Sequence, residues 1–188
     1  MPKSAAGAIC GKGITLNRVQ PEHVTAVTTA LIESGFKVET TRNSISVSPN
    51  GAVTKPLELT TEPYPGFPTD MQAQYMALAT QAEGTSTVTE NIFENRFMHV
   101  QELIRMGANI TISGRTATVR GKSPLQSAAV MCSDLRASAS LVLAALVADG
   151  ETILDRVYHL DRGYEHFEEK LRGVGAQIRR MGDVFGKK

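Results

Sequence analysis

Apolar residues recur at helical spacing over 70–83 and again over 134–149, and each run closes on an acidic residue and a glycine, Glu83-Gly84 and Asp149-Gly150. Shorter helical patterns over 99–106 and 165–174 end at Gly107 and Gly175. Alternation takes over in Asn109-Ile-Thr-Ile-Ser113 and Thr116-Ala-Thr-Val-Arg120, two strands expected to pair through a Gly114-Arg115 turn. Further strands are expected at 57–61, at 125–131 and at 177–181, and one after each of the two longer helices.

These elements repeat. Leu31-Ile-Glu-Ser-Gly35-Phe-Lys-Val38, Leu103-Ile-Arg-Met-Gly107-Ala-Asn-Ile110 and Leu171-Arg-Gly-Val-Gly175-Ala-Gln-Ile178 align, with glycines roughly 70 residues apart. Each glycine stands where a helix end needs a left-handed residue. A second column agrees at nearly the same period: Ile14-Thr-Leu-Asn-Arg-Val19, Thr87-Val-Thr-Glu-Asn-Ile92 and Thr152-Ile-Leu-Asp-Arg-Val157, preceded by Gly11, Gly84 and Gly150. The unit reads β-α-β-α-β-β, and three units of this length are better closed around a pseudo-three-fold axis than stacked as a solenoid. Ten residues precede Gly11, fewer than either of the equivalent later helices has. The first copy is therefore expected to lack its leading strand and helix start, and the chain to be a piece of something longer.

Composition narrows the picture slightly. Of the 188 residues 41% are hydrophobic and 5% aromatic, with no Trp, so the core is built from Ala, Val, Leu and Ile. Twenty Lys and Arg against 19 Asp and Glu leave a net charge of +1, without the basic excess of a nucleic-acid partner. The longest apolar run, 141–148, is far short of the roughly 20 residues of a membrane span. Cys10 and Cys132 stand alone, with no ligand spacing for a metal. The expectation is a soluble cytoplasmic protein without membrane or nucleic-acid partners.

Candidate chemistry sits at helix starts. Asp70 and Asp134 hold equivalent places, behind Thr69 and Ser133. Either could simply cap its helix. The stiff Pro63-Tyr-Pro-Gly-Phe-Pro68 approach and the small side chains around Asp134 and Arg136 instead suit a ligand at a helix N-terminus, with a carboxylate orienting or deprotonating a hydroxyl. Arg162, in Tyr158-His-Leu-Asp-Arg-Gly163, is a candidate for a carboxylate or phosphate, or a surface partner of Asp161 or Glu165. Arg96 has a weaker case of the same kind. Cys132 adjoins Asp134 but has no base placed to activate it, and the four histidines form no ligand pattern.

Four motifs then carry a resemblance. Phe67-Pro-Thr-Asp-Met-Gln-Ala-Gln74, Phe93-Glu-Asn-Arg-Phe-Met-His99, Asp134-Leu-Arg-Ala-Ser-Ala-Ser140 and Tyr158-His-Leu-Asp-Arg-Gly-Tyr164 resemble the UDP-N-acetylglucosamine 1-carboxyvinyltransferases, enolpyruvyl transferases that open bacterial peptidoglycan synthesis. The resemblance runs from about residue 5 to 180 and implies an inside-out α/β barrel of three β-α-β-α-β-β units, the first truncated. It implies most of the second domain of a two-domain enzyme, with units at approximately 1–53, 54–121 and 122–188.

The implied reaction moves the enolpyruvyl group of phosphoenolpyruvate to the 3-hydroxyl of UDP-N-acetylglucosamine and releases phosphate, with no metal or other cofactor. Asp70 would contact that hydroxyl as its base. Ile92 would meet the UDP-sugar through its backbone, or else be only the buried end of a repeat strand. Asp134, Arg136 and Arg162 would belong to the enolpyruvate side and the domain-closure network. The family's Lys-Asn pair and catalytic-cysteine loop are absent, and Cys132 does not match that cysteine. The missing first domain is thus an expected partner, without which the chain is expected to be inactive. Two other readings stand beside this one: an enolpyruvyl transferase acting on a shikimate phosphate, and a noncatalytic domain keeping half a cleft.

Overall fold

Gly35, Gly107 and Gly175 have φ of +92°, +98° and +97°, a backbone that L side chains enter only at a cost. The three aligned segments are thus three copies of one helix end. The protein is described by a computed structural model covering residues 2–9, 13–51 and 54–181. Gly11 lies outside the described residues.

The first unit comprises α1 (Pro2–Ile9), β1 (Ile14–Asn17), a 3-10 turn at Pro21–Val24, α2 (Thr25–Glu33), β2 (Lys37–Thr40) and β3 (Ser44–Ser48). The second has β4 (Glu58–Thr60), a 3-10 turn at Thr69–Met71, α3 (Gln72–Ala79), β5 (Gly84–Thr89), α4 (Val100–Arg105), β6 (Asn109–Ser113) and β7 (Thr116–Gly121). The third has β8 (Ala129–Met131), α5 (Leu135–Ala145), β9 (Ile153–Asp155), α6 (Tyr158–Asp161) and α7 (Phe167–Arg172). The second unit shows the full β-α-β-α-β-β order. Its sheet runs β4-β5-β7-β6, with β4 parallel to β5 and the other pairs antiparallel. The first unit repeats the last three positions as β1-β3-β2, and the third repeats the parallel pair as β8-β9.

Three helices, α1, α3 and α5, occupy the inside, and the sheets lie outside them. α1, α3 and α5 pack on one another. All eight residues of α3 are buried, and so are eight of α5. Alanines at 73, 77, 79, 139 and 144 let the axes approach closely. Longer side chains (Met76, Leu78, Leu141, Leu143) fill the remaining space, each contributing about 1.5–3 kcal/mol by burial. The strands turn one face inward, as Ala117 and Val119 of β7 do. Tyr75 on α3 donates its hydroxyl to the Val27 carbonyl at 2.6 Å and meets Phe67 edge-on at 4.9 Å. That contact seats the proline-rich corner leading into the 3-10 turn.

Three expectations are corrected. The strand expected over 125–131 is confined to Ala129–Met131. The helix expected over 165–174 begins only at Phe167, after His166 in a left-handed conformation (φ 45°). No strand forms over 177–181. In the first two units the equivalent strands, β2 and β6, are held by β3 and β7; among the described residues nothing offers 177–181 such a partner. This segment is tied down instead by Arg180, which pairs with Asp161 at 2.9 Å and Glu168 at 3.1 Å. No described helix is long and apolar enough to cross a membrane.

Candidate functional site

The start of α5 and the 3-10 turn before α3 meet at one end of the helix core. Asp134 is the N-cap of α5: its Oδ1 accepts from the backbone N–H of Arg136 at 2.8 Å and of Ala137 at 3.1 Å. The equivalent Asp70 caps nothing. Its turn has no side-chain cap, and its carboxylate is 78% exposed. Thr69 is not a cap either, because its hydroxyl turns away to Glu90.

Two arginines face Asp70. Arg96 Nη1 is 3.3 Å from Asp70 Oδ1, and its guanidinium lies over the Phe93 ring, 4.2 Å from the centroid. Arg136 Nε is 3.9 Å from the same oxygen, while its Nη2 stands 3.5 Å from Asp134 Oδ1. Both arginine side chains are largely buried. Arg136 Nη1 is fully buried without a hydrogen-bond partner. An anchored cationic surface therefore lies beside one exposed carboxylate, an arrangement suited to a hydroxylated, anionic ligand.

Asp70 also borders a cleft of about 310 Å³ whose walls come from 22–27, from 62–66 and 68–70, and from Ile92. Asp70 and Ile92, which lie on opposite sides of β5 in sequence, thus share one cavity. Ile92 is neither in the strand nor buried: β5 ends at Thr89, and Ile92 sits half-exposed in the bend beyond it. Its N–H is already donated to Glu90 Oε1 at 3.0 Å, which leaves its carbonyl and side chain for a ligand.

Two residues of this region carry no signal of their own in the sequence. Glu90 is buried and accepts four hydrogen bonds. Burial pushes its pKa up, but the bonds from Thr69, Phe93, Thr61 and Ile92 outweigh that and hold it below the usual carboxylate range. The only hint was its place in the repeat column, where the other units carry Asn17 and Asp155. His99 is buried, and burial together with the Arg136 charge lowers its pKa to about 4, so it is neutral at pH 7.

Arg162 makes none of these contacts. It is exposed in the turn after α6, and among the described residues it has no ion-pair partner: Asp161 pairs with Arg180 and Glu165 with Lys170. The turn lies against the start of α5, since a Cβ on Gly163 would come within 2.8 Å of Leu135. Cys132 is buried, and burial pushes its thiol pKa up, the opposite of an activated nucleophile. Among the described residues no three His, Cys, Asp or Glu side chains are grouped to hold a metal ion.

Comparison with known proteins adds an independent line. The family model described as EPSP synthase (3-phosphoshikimate 1-carboxyvinyltransferase) matches residues 4–171. UDP-N-acetylglucosamine 1-carboxyvinyltransferase of Acidobacterium capsulatum is 66% identical over 97% of this chain, and that of Koribacter versatilis 64% identical over the same share. The chain spans 42% of the length of each. The crystal structure of the enolpyruvyl transferase NikO from Streptomyces tendae superposes with a TM-score of 0.85 at 26% identity, covering 95% of this chain and 43% of that one. EPSP synthase from Acinetobacter baumannii, at 19% identity and a TM-score of 0.72 over 96% of this chain and 43% of its own, shares the fold.

Proposed function

The chain belongs to the EPSP synthase family of carboxyvinyltransferases, and from that membership we propose that it is part of a UDP-N-acetylglucosamine 1-carboxyvinyltransferase. The whole enzyme would transfer the enolpyruvyl group of phosphoenolpyruvate to the sugar 3-hydroxyl and release phosphate, the first committed step of peptidoglycan synthesis. The observation that carries the reading is the contrast between two equivalent aspartates. Asp134 is held as a helix cap, whereas Asp70 caps nothing: its exposed carboxylate lines the cleft and is paired on its other side with Arg96 and Arg136.

In this reading the sugar lies in the cleft with its 3-hydroxyl on Asp70 and Ile92 against it. Asp70 takes the hydroxyl proton as the oxygen bonds to C2 of phosphoenolpyruvate, while C3 gains a proton. The tetrahedral adduct then loses phosphate from C2 and a proton from C3, which restores the double bond. Arg136 and Arg162, with Asp134 fixing Arg136, serve the enolpyruvate side and closure; fixed cations there stabilise the charge that moves onto phosphate. The chain corresponds in this account to the second domain of a two-domain enzyme, with units at approximately 1–53, 54–121 and 122–188. Activity requires the part of the relatives' length that it does not match. Both substrates are highly charged and do not cross a bilayer unaided, which supports a reaction in the cytoplasm, the compartment expected for this chain.

The family description, which names the 3-phosphoshikimate enzyme, supports a second reading with that acceptor. Relatives named for the UDP-sugar reaction are 59–66% identical, whereas the EPSP synthase structures are 17–19% identical, and that difference favours the UDP-sugar. The test joins this chain to the remaining length of the Acidobacterium enzyme and measures phosphate release from phosphoenolpyruvate with each acceptor. Release with UDP-N-acetylglucosamine alone is expected. Release with shikimate 3-phosphate alone would exchange the two readings, and a folded protein inactive with both would leave a noncatalytic half-cleft.

A further inference from the structure

Glu90 follows β5 directly, is 1% exposed, and yet carries a carboxylate. Its Oε1 accepts from the Thr61 hydroxyl at 2.9 Å and from the backbone N–H groups of Ile92 and Phe93 at 3.0 and 3.1 Å. Its Oε2 accepts from the Thr69 hydroxyl at 2.8 Å. Thr61 extends the cluster by accepting from the Asn91 N–H at 2.9 Å. A buried carboxylate is a costly way to close a turn, and the fold does not demand one here. The counterparts Asn17 and Asp155 in the other two units are exposed. The buried acid occurs in the unit whose helix corner borders the 310 Å³ cleft.

Its partners explain the difference. Thr69 immediately precedes Asp70, Ile92 forms a wall of the same cleft, and the Phe93 ring supports the Arg96 guanidinium that reaches Asp70. We propose that Glu90 is a positioning residue for the acceptor substrate, a buried tie that sets the Thr69–Asp70 corner against the Ile92–Phe93 turn and so fixes the distance across the cleft. Glu90 lines no part of the cleft itself and acts through Asp70 and Ile92. The proposal rests on the reading of that cleft as the UDP-sugar site. It assigns Glu90 to one substrate only, because the Asp134–Arg136 side has its own anchor in the α5 cap.

The experiment uses the joined enzyme and three variants. Glu90→Ala removes all four bonds. Thr69→Val removes only the Oε2 bond at nearly constant shape. Glu90→Gln keeps the Oε1 acceptor and offers an amide N–H to the Thr69 oxygen, so it is the conservative rescue. The KM for UDP-N-acetylglucosamine is expected to rise about tenfold or more in Glu90→Ala and a few-fold in Thr69→Val, and to return to within about threefold in Glu90→Gln. The KM for phosphoenolpyruvate is expected to stay within about twofold throughout. Amide hydrogen exchange supplies a readout independent of turnover: Ile92 and Phe93 should exchange faster in Glu90→Ala and as in the parent in Asp70→Ala. If Glu90→Ala does not fold, Thr69→Val and Glu90→Gln still decide the matter, since each alters a single bond. Equal rises in both KM values, or an unchanged UDP-sugar KM in Thr69→Val and Glu90→Ala while Asp70→Ala is inactive, would overturn the positioning role and leave the site standing. A parent enzyme whose turnover ignores UDP-N-acetylglucosamine would overturn the site reading instead.

Discussion

Asp70 and Asp134 hold the same place in two copies of one unit, but their carboxylates do different work. Asp134 satisfies two N–H groups at the start of α5, so Asp134→Ala should cost about 0.5–2 kcal/mol in urea unfolding. Asp70 is exposed and makes only ion pairs, so Asp70→Ala should cost less than about 1 kcal/mol. The reverse order would mean that Asp70 is the structural residue. The cap geometry could not be read from two Thr/Ser-Asp pairs that look alike in sequence. It depends on Thr69 turning to Glu90, which lies 21 residues further along the chain and also takes the hydroxyl of Thr61, 29 residues away. His99 adds a pH signature. Its folded pKa of about 4 lies below the ordinary 6.5, so the unfolded chain binds more protons between those values and stability falls as pH drops from 6.5 towards 4. The loss should total about 3 kcal/mol. Below that window Glu90, depressed by its hydrogen bonds, adds a further loss as pH falls through its folded pKa. His99→Gln should flatten the upper window; an unchanged slope there would contradict the assignment.

At the scale of elements, the helix-end glycines were the most legible feature because their requirement is local. A left-handed residue is needed at 35, 107 and 175 whatever surrounds it. Gly175→Ala meets open space, whereas a Cβ at 107 would stand 3.3 Å from the Pro124 carbonyl. Each should destabilise by about 1–2 kcal/mol through backbone strain, with Gly107→Ala the costlier of the two in thermal unfolding. Equal costs would indicate that Pro124 yields freely. The β6–β7 hairpin was equally legible, its alternation and Gly114-Arg115 turn matching the observed pairing. The strand expected over 177–181 failed for the complementary reason. Alternation licenses a strand, but a partner makes one, and the partner is not a property of the segment. The late start of α7 likewise turns on the left-handed His166, a position inside the helical pattern expected over 165–174.

At the scale of the molecule, the repeat pointed to three units around an axis, but periodicity did not say which layer lies inside. Burial of all eight residues of α3, Gln72 and Gln74 among them, answers that. Those glutamines would ordinarily mark an outward face. The inside-out arrangement brings the start of α5 beside the corner that precedes α3, and so makes one site from Asp70 and Arg136, 66 positions apart in the chain. The family resemblance singled out Asp70, Ile92, Asp134, Arg136 and Arg162; the fold brings Asp70, Asp134 and Arg136 together, adds Arg96, and leaves Arg162 outside these contacts. In the reaction we propose, Asp70 serves the acceptor hydroxyl in carboxyvinyl transfer. The most direct test of that role is kcat for UDP-N-acetylglucosamine-dependent phosphate release by the joined enzyme, with Asp70 intact and as Asp70→Ala. A loss of about 10²–10⁴-fold in a variant that unfolds like the parent is the predicted result. Turnover within a few-fold of the parent would contradict it.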